Sequence, residues 1–220
     1  MLSRKIKIAV INATKISIAP VEQAAKQFPD VQIFHFMDEG MSYLAKEEGR
    51  ISGKNMARMI NLITQAESLG VDGILLSCTI FSPYIDVLRK FTDLPLVAAD
   101  IGVFEKAAAD FRKIGAVVSF PPTMDSVVQV VKMCQEKNPD FEVEIQLAKG
   151  AFDALTDGDE ELHNRILYET AASMAKGKDA IVLSQMSHMR CLPLFQNFPI
   201  PVLTSPPVSL QLLCDMIKNR

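Results

Sequence analysis

Residues Asp72 to Ser82 read DGILLSCTIFS and residues Asp179 to Met189 read DAIVLSQMSHM, so one motif is written twice, 107 residues apart. Each copy is an apolar strand run ending in Ser, then one residue that differs, then a loop. The first copy places Cys78 at the differing position and the second places Gln185. A strand-end thiol is a candidate acid, base or nucleophile, and a carboxamide is none of these.

The repetition extends well beyond this strand. Arg4-Lys5-Ile6 before IAVI returns as Arg112-Lys113-Ile114 before AVVS. VQIFHF at Val31 to Phe36 has its counterpart in VEIQL at Val143 to Leu147, and Leu94-Pro95-Leu96-Val97 in Ile200-Pro201-Val202-Leu203. A spacing of half the chain implies two alike domains, because solenoid repeats recur every ~20–50 residues. Short Val/Ile-rich runs predict strands near 6–11, 31–36, 73–77, 94–98, 114–119, 142–147, 180–184 and 200–204. Helical stripes alternate with them, among them Met56, Met59, Ile60 and Ile63. Such alternation implies an α/β fold, here two similar domains each with a four-stranded parallel sheet flanked by helices. The first half spans 1–100 and the second 101–205, with a C-terminal helix at 206–220 free to join the first. Asp100 to Phe111 reads as a helix carrying the chain across. Ser52 is expected to cap the first long helix, Asp157 with Glu160 to start the second, and Ser82-Pro83 to open a third.

Composition narrows the function. The 220 residues are 49% hydrophobic with net charge −3, which gives no general electrostatic case for nucleic acid or a membrane surface. No apolar run approaches the ~18 residues of a membrane span, and the Ile6–Ile11 run is too short, and broken by Lys7, for a secretory signal. Cysteines at 78, 134, 191 and 214 have neither disulfide nor zinc spacing, which points to a reduced, cytoplasmic protein without a metal site. Gly49 to Lys54 lacks the spacing of a phosphate loop.

Parallel α/β sheets bind ligands beyond the carboxyl ends of their strands. Cys78 and Thr79 fall there, as do Asn12 to Thr14 after the first strand and Pro121-Pro122-Thr123, with Ser126, after the fifth. Facing halves would bring these tips into one cleft of amide and hydroxyl donors, with one thiol and no fixed positive charge. Nearby helix N-termini would favour a carboxylate and lower the thiol pKa.

Taken together, the tandem halves, the strand end Leu75-Leu76-Ser77-Cys78-Thr79, the Asn12–Thr14 loop and the Thr123/Ser126 loop resemble the aspartate/glutamate racemase superfamily. That group includes amino-acid and hydantoin racemases, arylmalonate decarboxylase and maleate isomerase. The resemblance covers essentially the whole chain. It implies two domains about a pseudo-twofold axis, a cleft between them, and neither metal nor pyridoxal cofactor. A homodimer is a further family expectation. In the family's racemases a cysteine from each half faces the substrate's α-carbon. Cys78 matches the first of these, and Gln185 stands where the second belongs.

Two-base racemisation needs a titrating group on both faces. With Gln185 in place, one thiol remains, enough to protonate an enediolate or to add to a double bond. His188 or Cys191, just beyond Gln185, would supply a second acid or base if either bent into the cleft. The expected substrate is a small acid or amino acid, bound by Asn12, Thr14, Thr79, Thr123, Ser126, Gln185 and Ser187. The competing expectation is a small-carboxylate binding or sensor protein that kept the cleft and lost catalysis, favoured by Gln185 and the apolar Met186. Cys78 would then be a small buried hydrophobe, as free cysteines often are.

Overall fold

Val- and Ile-rich runs form eight short strands, each followed by a helical segment, in the computed structural model, which describes residues 4–220. The first half runs β1 (Ile6–Asn12), α1 (Ile18–Ala25), β2 (Val31–Met37), α2 (Gly40–Glu48), α3 (Gly53–Ser68), β3 (Gly73–Leu76), α4 (Ile85–Leu88) and β4 (Leu96–Ala98). Helix α5 (Ala99–Asp110) leaves β4 without a loop. The second half runs β5 (Lys113–Val118), α6 (Met124–Lys137), β6 (Glu142–Leu147), α7 (Ala151–Thr156), α8 (Glu160–Met174), β7 (Ala180–Leu183), β8 (Val202–Thr204) and α9 (Ser205–Lys218).

The strands make two parallel four-stranded sheets, ordered β2-β1-β3-β4 and β6-β5-β7-β8. The α/β class with two helix-flanked parallel sheets is therefore as the sequence predicts. The ladders repeat one another in register: Ile11 pairs Leu76 and Val117 pairs Leu183, while Leu76 pairs Ala98 and Leu183 pairs Thr204. Interior strands β3 and β7 are buried along their whole length, which is why they read as unbroken apolar runs, while edge strands β2 and β6 are only half-buried. The largest apolar core is continuous across both sheets, joining Ile11, Leu76, Phe81 and Phe104 to Ile114, Ala116 and Val182. Among the described residues no helix is long and apolar enough to cross a membrane.

Local chemistry explains where the structure departs from expectation. Strands β4 and β8 begin two residues late, after Pro95 and Pro201. These prolines lend their carbonyls to Ile74 N–H (2.8 Å) and Ile181 N–H (2.9 Å), but have no N–H of their own to return. Helix α8 is capped by Asp159, which accepts from the Leu162 N–H at 2.9 Å, and Asp157 instead closes α7. Ser82 caps no helix. It lies inside a 3₁₀ turn, Thr79–Tyr84, and donates its hydroxyl to the Asp100 carboxylate. Ser52 does cap α3, and Asn55 Oδ1 accepts from both its N–H (3.3 Å) and its hydroxyl (2.9 Å).

Helix α9, which follows the last strand of the second sheet, packs on the first. Leu210, Leu213 and Cys214 join Ile8, Val10 and Leu75 in one core cluster. Gly73 permits this close approach, since a Cβ there would lie 2.8 Å from Ile217 Cδ1 and 2.9 Å from Leu213 Cδ1. Gly73→Ala is accordingly expected to cost about 1–3 kcal/mol through overpacking, read as a lower urea midpoint with an unchanged slope.

Candidate active site

Both sheets deliver their strand ends to one small cavity of about 50 Å³. After β1 come Ala13, Thr14, Ile16 and Ser17; after β3, Ser77, Cys78 and Thr79; after β5, Phe120 and Thr123; after β7, Gln185, Met186 and Ser187. Ser42 from α2 and Phe152 from α7 complete the lining. Among the described residues, Cys78 is the only ionisable side chain that lines it.

Of the residues expected at the site, Cys78, Thr14, Thr79, Thr123, Gln185 and Ser187 are brought together here. Asn12 and Ser126 are not. Asn12 is fully buried behind the wall, where its Oδ1 accepts from Ser17 and Ser77 hydroxyls (2.9 Å each) and its Nδ2 donates to the Val10 carbonyl (2.9 Å). It thus ties the end of β1 to the end of β3. The Ser126 hydroxyl points to the Ile80 carbonyl at 3.4 Å, between α6 and the turn that follows Cys78.

Neither His188 nor Cys191 reaches the cavity. Both are completely buried. His188 Nε2 lies 2.9 Å from Ser119 Oγ, and the Cys191 thiol donates to the His188 carbonyl at 3.0 Å. Burial holds the His188 imidazole well below its ordinary range and pushes the Cys191 thiol up to about 12. The 3₁₀ turn that begins at Met186 carries both side chains inward, away from the cleft.

Gln185 is fixed in orientation. Its Oε1 accepts from Ser119 N–H (2.7 Å), Ser119 hydroxyl (2.7 Å) and Phe120 N–H (3.3 Å). Two of these are backbone donors, so the atom facing them must be the carbonyl oxygen. Because the Ser119 hydroxyl gives its hydrogen to Gln185, it accepts from His188, which therefore carries its proton on Nε2. The Gln185 amide nitrogen is left toward Thr123 Oγ1, a long 3.4 Å away, and toward the cavity. The second half thus presents an N–H donor where the first presents a thiol.

Other hydroxyls on the wall are already engaged: Ser17 with Asn12, Ser42 with the Ala13 carbonyl (2.9 Å), and Ser77 with the Ile11 carbonyl (3.0 Å). Thr14, Thr79 and Ser187 line the same cavity and carry the remaining hydroxyls. The apolar side is Ile16, Met186 and the ring pair Phe120–Phe152, whose centroids are 4.4 Å apart. Phe120 is legible in the sequence as the residue two beyond the end of β5. Phe152, on α7, is not, because only tertiary packing brings it to the strand ends.

The Cys78 thiol departs from the lowered pKa expected beside helix N-termini. It is pushed up to about 12, chiefly by burial and further by the Asp100 charge, against a lowering by the Ile80 N–H. A six-residue 3₁₀ turn has little dipole to set against that desolvation. Cys78 therefore rests as a thiol. Asp100, which sequence reading passed over, is itself fully buried, and burial raises its carboxyl to about 7 against the Ser82 hydroxyl bond.

Two helix-flanked parallel sheets joined at their strand ends are a fold that this chain shares with solved racemases and a decarboxylase. The chain superposes on glutamate racemase from Francisella tularensis with a TM-score of 0.74 and 15% identity, over 99% of this chain and 82% of that one. Allantoin racemase from Klebsiella pneumoniae gives 0.75 and 16%, over 98% and 89%. A doubly substituted, liganded arylmalonate decarboxylase gives 0.67 and 14%, over 96% and 92%. No family model and no curated protein matches the sequence.

Proposed function

We propose that this chain is an enzyme that protonates the carbon next to a carboxylate, with Cys78 as its single catalytic thiol. The observation that carries the reading is the asymmetry of the cavity: a resting thiol on one side, and an amide with its carbonyl already saturated on the other. A resting thiol is an acid. In the reaction it suits, a carboxylate departs as CO₂ and the electrons of the broken C–C bond pass into an enediolate. The Cys78 S–H then gives its proton to the α-carbon, the sulfur keeps the electron pair, and solvent restores the proton. Hydroxyls of Thr14, Thr79 and Ser187 and the Gln185 amide would donate to the developing oxyanion, each such donor being worth about 10²–10³ in rate. The four cysteines are all free, which fits the reducing cytoplasm as its place of work.

The lining also argues for a substrate class. A substrate ammonium buried in so small a site would need a carboxylate beside it, and the wall offers hydroxyls, an amide, apolar side chains and one thiol. The favoured substrate is a small acid without an α-amino group, its apolar substituent on Phe120, Phe152 and Met186.

A panel of 2-substituted malonates, 2-substituted carboxylic acids and their 2-amino counterparts, incubated in deuterium oxide and followed by NMR, tests both points. The expected result is deuterium at the α-carbon in a single configuration, with the amino counterparts at least about tenfold weaker. Scrambled configuration would reveal a second base and refute the single-thiol reading. Binding without exchange or turnover would instead favour a carboxylate-binding protein, a reading supported by the high thiol pKa.

A further inference from the structure

Four of the five buried polar side-chain atoms without a partner among the described residues belong to two elements that pack on each other. They are His163 Nε2 and Asn164 Oδ1 on α8, and His188 Nδ1 and Arg190 Nε on the 3₁₀ segment Met186–Phe195. His163 and His188 are fully buried, and their ring centroids stand 6.0 Å apart. Their other partners fix where the protons sit. His163 Nδ1 lies 2.7 Å from the Ala151 carbonyl, which can only accept, so Nδ1 carries the proton and Nε2 a lone pair. His188 carries its proton on Nε2, toward Ser119 at 2.9 Å, so its Nδ1 holds a lone pair as well. The ring pair is thus left with two buried acceptors and no hydrogen for either. Arg190 brings a donor: Nη1 meets Glu160 at 3.2 Å, one turn of α8 before Asn164, Nη2 meets the Ile16 carbonyl at 2.8 Å, and Nε is the N–H left over. Buried polar groups in native folds are almost always partnered, so so many unmatched atoms in one place call for a ligand.

We propose that His163 Nε2, His188 Nδ1 and Arg190 Nε bind a single buried water molecule. A water supplies two hydrogens for the two imidazoles and an oxygen for the Arg190 N–H, and buried waters make about three such bonds. The spacing selects it. With each N···O near about 2.9 Å and a tetrahedral angle at oxygen, the ring centres should stand roughly 6 Å apart, as they do. A direct bond between ring nitrogens would draw the centres to roughly 5 Å. A tetrahedral Zn²⁺ at about 2.0–2.1 Å from each nitrogen would do the same. A cation is also opposed by the Arg190 guanidinium, and no cluster of three metal-ligating side chains exists among the described residues. A shared proton is opposed by burial, which holds both imidazoles below their ordinary range. The water has a consequence at the cavity. By donating to His188 Nδ1 it keeps the ring proton on Nε2, so His188 donates to Ser119, and Ser119 donates to Gln185 Oε1 at 2.7 Å. One directed chain of hydrogen bonds therefore runs from the buried water to the amide that faces the cavity.

The test is NMR of the full chain labelled with nitrogen-15, at pH 7, reading the imidazole nitrogens together with water-selective Overhauser spectra. The expected result is one protonated nitrogen per buried ring, Nδ1 in His163 and Nε2 in His188, with cross-peaks from a long-lived water to ring protons of both. A proton on His188 Nδ1, a doubly protonated ring, or a missing water cross-peak at either ring overturns the proposal. His163→Asn removes the Nε2 acceptor and keeps the tie to the preceding helix. Asn55, at the matching place in the first half, shows that an amide suffices, because its Nδ2 donates to the Met41 carbonyl at 2.7 Å. In that variant, with native circular dichroism, the water cross-peak at His188 is expected to vanish. A cross-peak of undiminished intensity would mean that His163 does not hold the water, and the shared site falls. Should the variant fail to fold, the spectra of the parent chain decide alone. None of these readouts depends on turnover.

Discussion

Cys78→Ala is expected to abolish turnover, by at least about 10³-fold, while leaving the circular dichroism spectrum and melting temperature close to those of the parent chain. Positioned acid–base groups contribute about 10²–10⁴ in rate, and no other ionisable side chain among the described residues lines the cavity to take over the proton. The oxyanion donors remain in the variant, so substrate affinity should change little and the loss should fall on kcat. The cost to the fold is modest because Cys78→Ala removes a single sulfur atom from a side chain that packs at the edge of the main core and lines the cavity. Cys78→Ser should be nearly as inactive, since an alcohol gives up a proton far less readily than a thiol. Full activity in Cys78→Ala would remove the thiol from the mechanism. NMR of product formation with a 2-substituted malonate is the measurement.

Gln185→Glu should be the most damaging near-isosteric change at the site. Ser119 N–H, Ser119 hydroxyl and Phe120 N–H would still find an acceptor oxygen, so the local structure should persist. Those three donors also hold the new carboxyl ionised. The end facing Thr123 and the cavity changes from an N–H donor into an oxygen that shares a negative charge, pressed against a carboxylate substrate. Loss of a donor combined with repulsion in a small, water-poor site is expected to weaken carboxylate binding by about 10²-fold, or about 2.7 kcal/mol. Isothermal titration with a non-reacting carboxylate, beside an unchanged melting temperature, reads this directly. Unaltered affinity would mean that the amide does not touch the substrate carboxylate.

Much of the fold was legible because buried parallel strands leave a plain signature. GILL and AIVL are continuous apolar runs bounded by Asp72 and Ser77 in one half and by Asp179 and Ser184 in the other, and their order with the helical stripes fixes the class. Boundaries slipped where backbone hydrogen bonding, not hydropathy, sets the end, as at Pro95 and Pro201. At the site, strand-end position located Cys78, Thr79, Thr123 and Gln185, since topology alone brings those residues to the cavity. It did not locate Asn12 and Ser126, whose backbones reach the strand ends while their side chains turn to other partners. The thiol's pKa was misjudged in direction because a helix N-terminus can be read from sequence and the depth of burial cannot. Asp100 was passed over for a related reason. In sequence it is an ordinary acidic residue in a helix's first turn, and only tertiary packing buries it completely against the Ser82 hydroxyl.

Helix α9 has a consequence for how this chain is made. The first sheet is complete in sequence once β4 is synthesised, yet one of its faces, with Ile8, Val10 and Leu75, is covered by Leu210, Leu213 and Cys214. A ribosome that has released β1 to β4 has therefore released a sheet with this face covered only in part, by Val21 and Ala24 of α1, and it must translate the whole second sheet before the rest of the cover arrives. Contacts of such sequence separation slow folding and prolong exposure of apolar surface. The first half of the chain is born first and finishes last.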